Sequence, residues 1–127
     1  MARFLWICLG GAVGTAARYL LSGWVLKRFG PGFPTGTLAV NAIGCLLMGA
    51  LMHVGMTTQI LSPTLRLALT TGAMGGFTTY STFNYETISL LRDGSFLYAG
   101  MNVGLTGIVC LVAGFLGMAS ARLVVGG

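Results

Sequence analysis

The sequence predicts an all-α membrane protein of four transmembrane helices, and two observations lead there. Seven basic and two acidic side chains are the whole complement of charge in 127 residues, while 55% of the chain is hydrophobic. The apolar residues also fall into four long runs, separated by short segments rich in glycine, proline and charge. A soluble domain carries charge on roughly a quarter of its residues, and a mean hydropathy of +0.87 leaves lipid as the solvent for most of this surface. A bilayer core about 30 Å thick takes roughly 20 residues of helix. Four such spans with short connections use residues 1–127 as a single domain. Helix is the default for each span, because an open strand in lipid leaves backbone groups unpaired.

The first span runs from about residue 4 to 26. Arg3 precedes it and small residues follow, in the manner of a signal peptide, but the run continues too far and three more follow. Lys27, Arg28 and the cluster Phe29-Gly-Pro-Gly-Phe-Pro34 close it. The second span covers about 37–55, and a loop through Ser62-Pro63 leads to the third, about 65–91. Arg92-Asp93-Gly94 makes the next turn, and the fourth span covers about 96–124. Glycines with three residues between them, Gly10 and Gly14, Gly72 and Gly76, Gly100 and Gly104, predict close helix approach.

The net charge of +5 does not signal a nucleic-acid partner, because the basic residues mostly stand singly at the ends of apolar runs. Arg3, Arg66 and Arg122 lie on one side of the predicted topology; Lys27, Arg28 and Arg92 lie on the other. The positive-inside bias that orients a membrane protein is therefore absent. Either the chain has one weakly fixed orientation, or it inserts both ways and pairs as an antiparallel dimer. Cys8, Cys45 and Cys110 lie in apolar runs without metal-ligand spacing and read as small hydrophobes.

Polar side chains inside a span are costly and therefore candidates for function. Arg18 could snorkel to the headgroups or face a wet vestibule that attracts anions. Asn41 shares a face with Thr37 and can offer an amide N–H without a fixed charge. Tyr98, Asn102 and Thr106 form one stripe on the fourth helix. The third span reads Thr70-Thr-Gly-Ala-Met-Gly-Gly-Phe-Thr-Thr-Tyr-Ser-Thr-Phe83. Its Gly75-Gly76 pair and the hydroxyls that follow predict a break at membrane depth, which survives only in protein or beside a cavity. Carbonyls freed by a break suit a hard cation such as sodium. Beyond it, Tyr80 and Phe83 share a face, and Thr79, Thr82 and Glu86 form another. Neutral donors, one cation and one carboxylate favour passage of an anion. No nucleophile–base pair, metal cluster or phosphate loop points to an enzyme.

These residues resemble a known family, the small bacterial fluoride channels called Fluc or CrcB. The resemblance rests on Gly10-Gly-x-x-Gly14 with Arg18-Tyr19, on Gly36-Thr-Leu-x-Val-Asn41, and on Thr71-Gly-x-x-Gly-Gly-x-Thr-Thr-x-Ser-Thr-Phe83 with Glu86. It implies passive export of cytoplasmic fluoride across a bacterial plasma membrane by a dual-topology, antiparallel homodimer with two pores. It further implies a structural sodium ion at the dimer centre, held by backbone carbonyls that by position belong to Gly75 and Thr78. Asn41, Tyr80 and Phe83 would line the fluoride path, with Ser81, Thr82 and the fourth-helix track nearby and Arg18 in the vestibule. Tyr80 stands where the family pattern has Phe, and Asn102 where a small hydroxyl is usual. A proton-coupled exporter of toxic cations, of the small multidrug resistance type, is the alternative. Its mechanism needs a first-helix carboxylate, where this chain has Arg18. A purely structural assembly subunit would leave the third-helix break and the polar stripes unexplained.

Overall fold

The structure is a computed structural model that describes residues 1–127. All of its regular elements are helical. Helix α1 (Ala2–Phe29) ends at Gly30, whose φ of 80° is the left-handed conformation that stops a helix and whose N–H reaches Leu26 O at 2.8 Å. Helix α2 (Thr35–Thr57) follows the Gly/Pro loop. The third span is made of four pieces: α3 (Pro63–Leu67), a π-helical segment (Ala68–Met74), α4 (Gly75–Phe77) and α5 (Tyr80–Arg92). Gly94, at φ 78°, turns the chain into α6 (Phe96–Val125). Helices α1, α2 and α6 are each long and apolar enough to cross a membrane. The third span is long enough only when its pieces are taken together.

The break falls within the predicted stretch, on its hydroxyl residues rather than on the glycine pair. Gly75 and Gly76 are helical, and the two extended residues are Thr78 and Thr79. The physical reason is packing. A methyl group on Gly76 would stand 3.0 Å from Thr15 Oγ1 and 3.1 Å from Thr15 N, so Gly76 serves contact with α1 rather than disorder of the helix, while Gly75 is exposed. The wider π turns lie just before them, a geometry often found beside functional sites.

Two seams hold the protomer together, and both run between parallel helices. In the first, α1 packs on the first half of the third span. A methyl on Gly14 would come within 2.8 Å of the Ala73 carbonyl carbon, and one on Gly72 within 3.3 Å of Gly10 Cα. In the second, α2 packs along α6, where a methyl on Gly49 would meet Gly114 C at 3.1 Å and one on Gly117 would meet Leu46 C at 2.8 Å. Backbone-to-backbone approach of this kind is how helices associate where lipid removes the hydrophobic drive. Of the three expected glycine pairs, the first two serve the first seam. Gly100 and Gly104 face open space in the protomer, and α6 uses Gly114 and Gly117 instead.

Helix α5 stands apart. It buries none of its residues and leans mainly on α6. Only 13 of 127 residues are buried in the protomer, so most of its surface needs lipid or another protein against it.

Candidate functional site

The site grows from the break. Thr78 (φ −80°, ψ 155°) and Thr79 (φ −151°, ψ 111°) are extended; Thr78 N–H still reaches Met74 O at 2.9 Å, but Thr78 C=O and the backbone groups of Thr79 leave the helical ladder at membrane depth. Asn41 on α2 takes up the pair released at Thr79. Its Nδ2 donates to Thr79 O at 3.0 Å, and its Oδ1 accepts from Thr79 N at 2.8 Å. A side-chain amide carries the same donor and acceptor as a peptide group, so it can close both ends of one residue at once. One turn further along α2, Gly44 makes room for the Thr78 methyl and keeps 3.4 Å between its own missing Cβ and Phe77 Cδ1. Asn41 and Gly44, both buried, thus fix the break from one face of α2.

Thr79 then starts α5 as its N-cap. Its Oγ1 accepts from Thr82 N at 3.3 Å and lies 3.0 Å from Thr82 Oγ1 and 3.5 Å from Ser81 Oγ. The break consequently presents two opposite poles. The start of α5 offers helix-terminal N–H groups and the positive end of a helix dipole, beside the hydroxyls of Ser81 and Thr82. On the other side, the carbonyls of Gly75 and Thr78 accept no hydrogen bond within the protomer. Freed carbonyl oxygens are the donor set a hard monovalent cation takes, so these two fit the ion that the sequence resemblance implies.

Tyr80 and Phe83 lie on the first turn of α5 with ring centroids 5.6 Å apart and planes at 58°. Tyr80 is 77% exposed in the protomer, so its ring edge and hydroxyl are free to meet an ion, water or a second chain. One turn on, Glu86 accepts from Thr37 Oγ1 at 2.5 Å, which joins α5 to the start of α2. Both residues line a cavity of about 510 Å³ that also includes Ser22, Thr35, Ser89 and Asp93. Glu86 Oε2 and Thr35 Oγ1 are buried there without a hydrogen-bond partner.

The fourth-helix stripe divides in two. Asn102 is 2% exposed and donates to Thr87 Oγ1 at 2.9 Å, tying α6 to α5, while Thr106 Oγ1 lies 3.5 Å from Asn102 Oδ1. Tyr98 leaves this line and sets its ring edge-on to Phe33 of the first loop, centroids 6.0 Å apart at 84°. The guanidinium of Arg18 has no hydrogen bond or ion pair in the protomer; only its carbonyl is engaged, by Ser22 Oγ at 2.7 Å. His53 pairs with Gly126 O at 2.9 Å at the far end of the α2–α6 seam, well away from the break.

Sequence reasoning placed the polar residues on their helices but missed three partners: Thr79 for Asn41, Thr87 for Asn102, and Gly44 beneath Thr78. Thr79 lay in view as a hydroxyl residue of the third span, whereas Thr87 drew no notice. Nothing in local spacing says that a residue 38 positions away along the chain will be matched by its backbone.

Residues 5–118 match the family described as CrcB-like protein, Camphor Resistance (CrcB). The chain belongs to the CrcB family. Curated relatives include the "Fluoride-specific ion channel FluC" of Sorangium cellulosum (strain So ce56), 57% identical over the full length of both chains. A protein of the same name from Anaeromyxobacter sp. (strain K) is 48% identical, covering 99% of this chain and all of its own. Another, from Geobacter sulfurreducens, is 50% identical over 96% of this chain and 98% of its own. The CrcB match contains the break, Asn41, both aromatic residues and the whole polar stripe of α6. It gives no support to the small multidrug resistance reading, which is set aside.

Proposed function

We propose that the chain is a passive, fluoride-selective channel of a bacterial plasma membrane that releases fluoride accumulated in the cytoplasm. The observation that carries this reading is the break itself, pinned by Asn41 and followed at once by hydroxyls, the start of a helix and an aromatic pair. Fluoride is small and strongly hydrated, so a selective path must replace its water with close donors. Helix-terminal N–H groups, the Ser81 and Thr82 hydroxyls and the positive ring edges of Tyr80 and Phe83 supply donors without a fixed positive charge that would trap the ion. Asn41 spends one N–H and its oxygen on Thr79, which leaves its second N–H for the path. Thr37, Thr106 and Asn102 extend the polar route along α2 and α6, Tyr98 turns its ring aside to Phe33, and Arg18 in the second half of α1 draws anions toward it.

The working unit in this reading is an antiparallel homodimer. Thr71, Gly75, Tyr80, Ser81 and Asn84 are exposed at membrane depth, and polar groups there call for a partner or water. Gly100 and Gly104 offer a second smooth, open face for close approach. The loop charges, three against three, allow both orientations. Gly75 and Thr78 carbonyls from two protomers would together hold a sodium ion at the centre, joining the breaks electrostatically. Expression in a fluoride-hypersensitive bacterium tests the reading: the chain should restore growth in fluoride medium, and unchanged sensitivity with the protein present in the membrane would overturn it.

A further inference from the structure

Cys45 and Cys110 come together in the α2–α6 seam, although they share no sequence motif. The parallel register decides it. Gly49 meets Gly114, and one helical turn back on each helix stand Cys45 and Cys110. That register sets the two side chains against one another across the seam, and both thiols are free and partly exposed.

We propose that this thiol pair is a two-coordinate site for a divalent soft metal ion, with mercuric ion as the species that fits. Paired thiols select soft metals. No cluster of three or more His, Cys, Asp or Glu groups exists in the chain, which removes ions such as zinc that want four ligands. The membrane setting selects further, because residual charge among apolar side chains is expensive. Two thiolates cancel the charge of a divalent ion, whereas a monovalent copper or silver ion would leave one negative charge. Mercuric chloride is itself uncharged and reaches this depth unaided. In the binding step two S–H and two Hg–Cl bonds break and two Hg–S bonds form, releasing two protons and two chloride ions. Nothing is oxidised or reduced.

The site would staple α2 to α6 one turn from Asn41 and one turn from Thr106. The consequence for flux rests on the channel reading above; the binding itself does not. The test uses the full chain in liposomes treated with mercuric chloride, washed with excess monothiol and read by intact mass. Wild type and Cys8→Ser should keep one mercury per chain with the loss of two protons. Cys45→Ser and Cys110→Ser should lose it, and methylmercury chloride, which cannot bridge two thiols, should wash out of every variant. Mercury retained by Cys45→Ser, mercury washed from wild type, or loss of two mass units without mercury would each overturn the proposal. Fluoride efflux recorded in parallel should fall on mercury addition in wild type and Cys8→Ser only. An untreated wild type that passes no fluoride would instead refute the channel reading, leaving the mass result to stand.

Discussion

Replacing Asn41 by alanine isolates what the amide does at the break. The substitution leaves Thr79 N–H and Thr79 C=O without the partners they now meet at 2.8 and 3.0 Å. Asn41 is 8% exposed, so water cannot freely take its place. Each buried backbone group left unpaired costs about 1–3 kcal/mol, so the pair should cost about 2–6 kcal/mol. A variant this unstable should show a lower unfolding midpoint in detergent, read by intrinsic fluorescence, and faster hydrogen exchange at Thr79 and Tyr80. Asn41→Asp keeps the acceptor for Thr79 N–H but turns a second acceptor toward Thr79 O. It should therefore lose stability as well as flux, despite being nearly isosteric. A midpoint for Asn41→Ala equal to that of a lipid-facing control such as Leu9→Ala would refute the clamp and return Asn41 to a purely ion-facing role.

Further outcomes follow from other parts of the site. Tyr80→Phe should preserve fluoride efflux if the ring edge is what meets the ion, while Phe83→Ile should nearly abolish it; unimpaired efflux in Phe83→Ile would return both rings to packing. Asn102→Leu removes the tie to Thr87 and should cost about 1 kcal/mol, the usual worth of an interhelical hydrogen bond in a membrane, with the loss seen in the thermal midpoint. Reporters fused to the C-terminus should appear on both sides of the membrane, and a single orientation would sink the dual-topology proposal.

Much of this architecture was legible in the sequence because lipid makes strong demands. Charge scarcity and the four apolar runs point to the spans without any knowledge of their contacts. The weak centre of the third span was legible too, since glycine and hydroxyl residues are poor company in a helix. Its exact residues within that stretch were not. Gly75 and Gly76 read as part of the break, yet both stay helical, Gly76 lets α1 approach, and the chain opens only where Asn41 can receive Thr79. Tyr98 reads as a member of a stripe by spacing alone, but Phe33, from a loop with no periodicity, draws its ring away. Cys45 and Cys110 show the same limit. Each is an unremarkable small residue in its own helix, and only the register set by Gly49 and Gly114 makes them a pair. Periodicity reports which face a residue occupies, and partners across a seam are decided by where glycines let backbones meet.

The central claim is passive fluoride conduction through a path built at the break. Its most direct test is fluoride efflux from liposomes holding the purified chain, followed with a fluoride electrode at equal pH on both sides. A potassium ionophore balances charge, and matched liposomes are loaded with chloride. Rapid fluoride release with chloride retained, in the absence of any proton gradient, is the predicted result. Efflux that appears only with a proton gradient, or equal release of the two halides, would contradict the account.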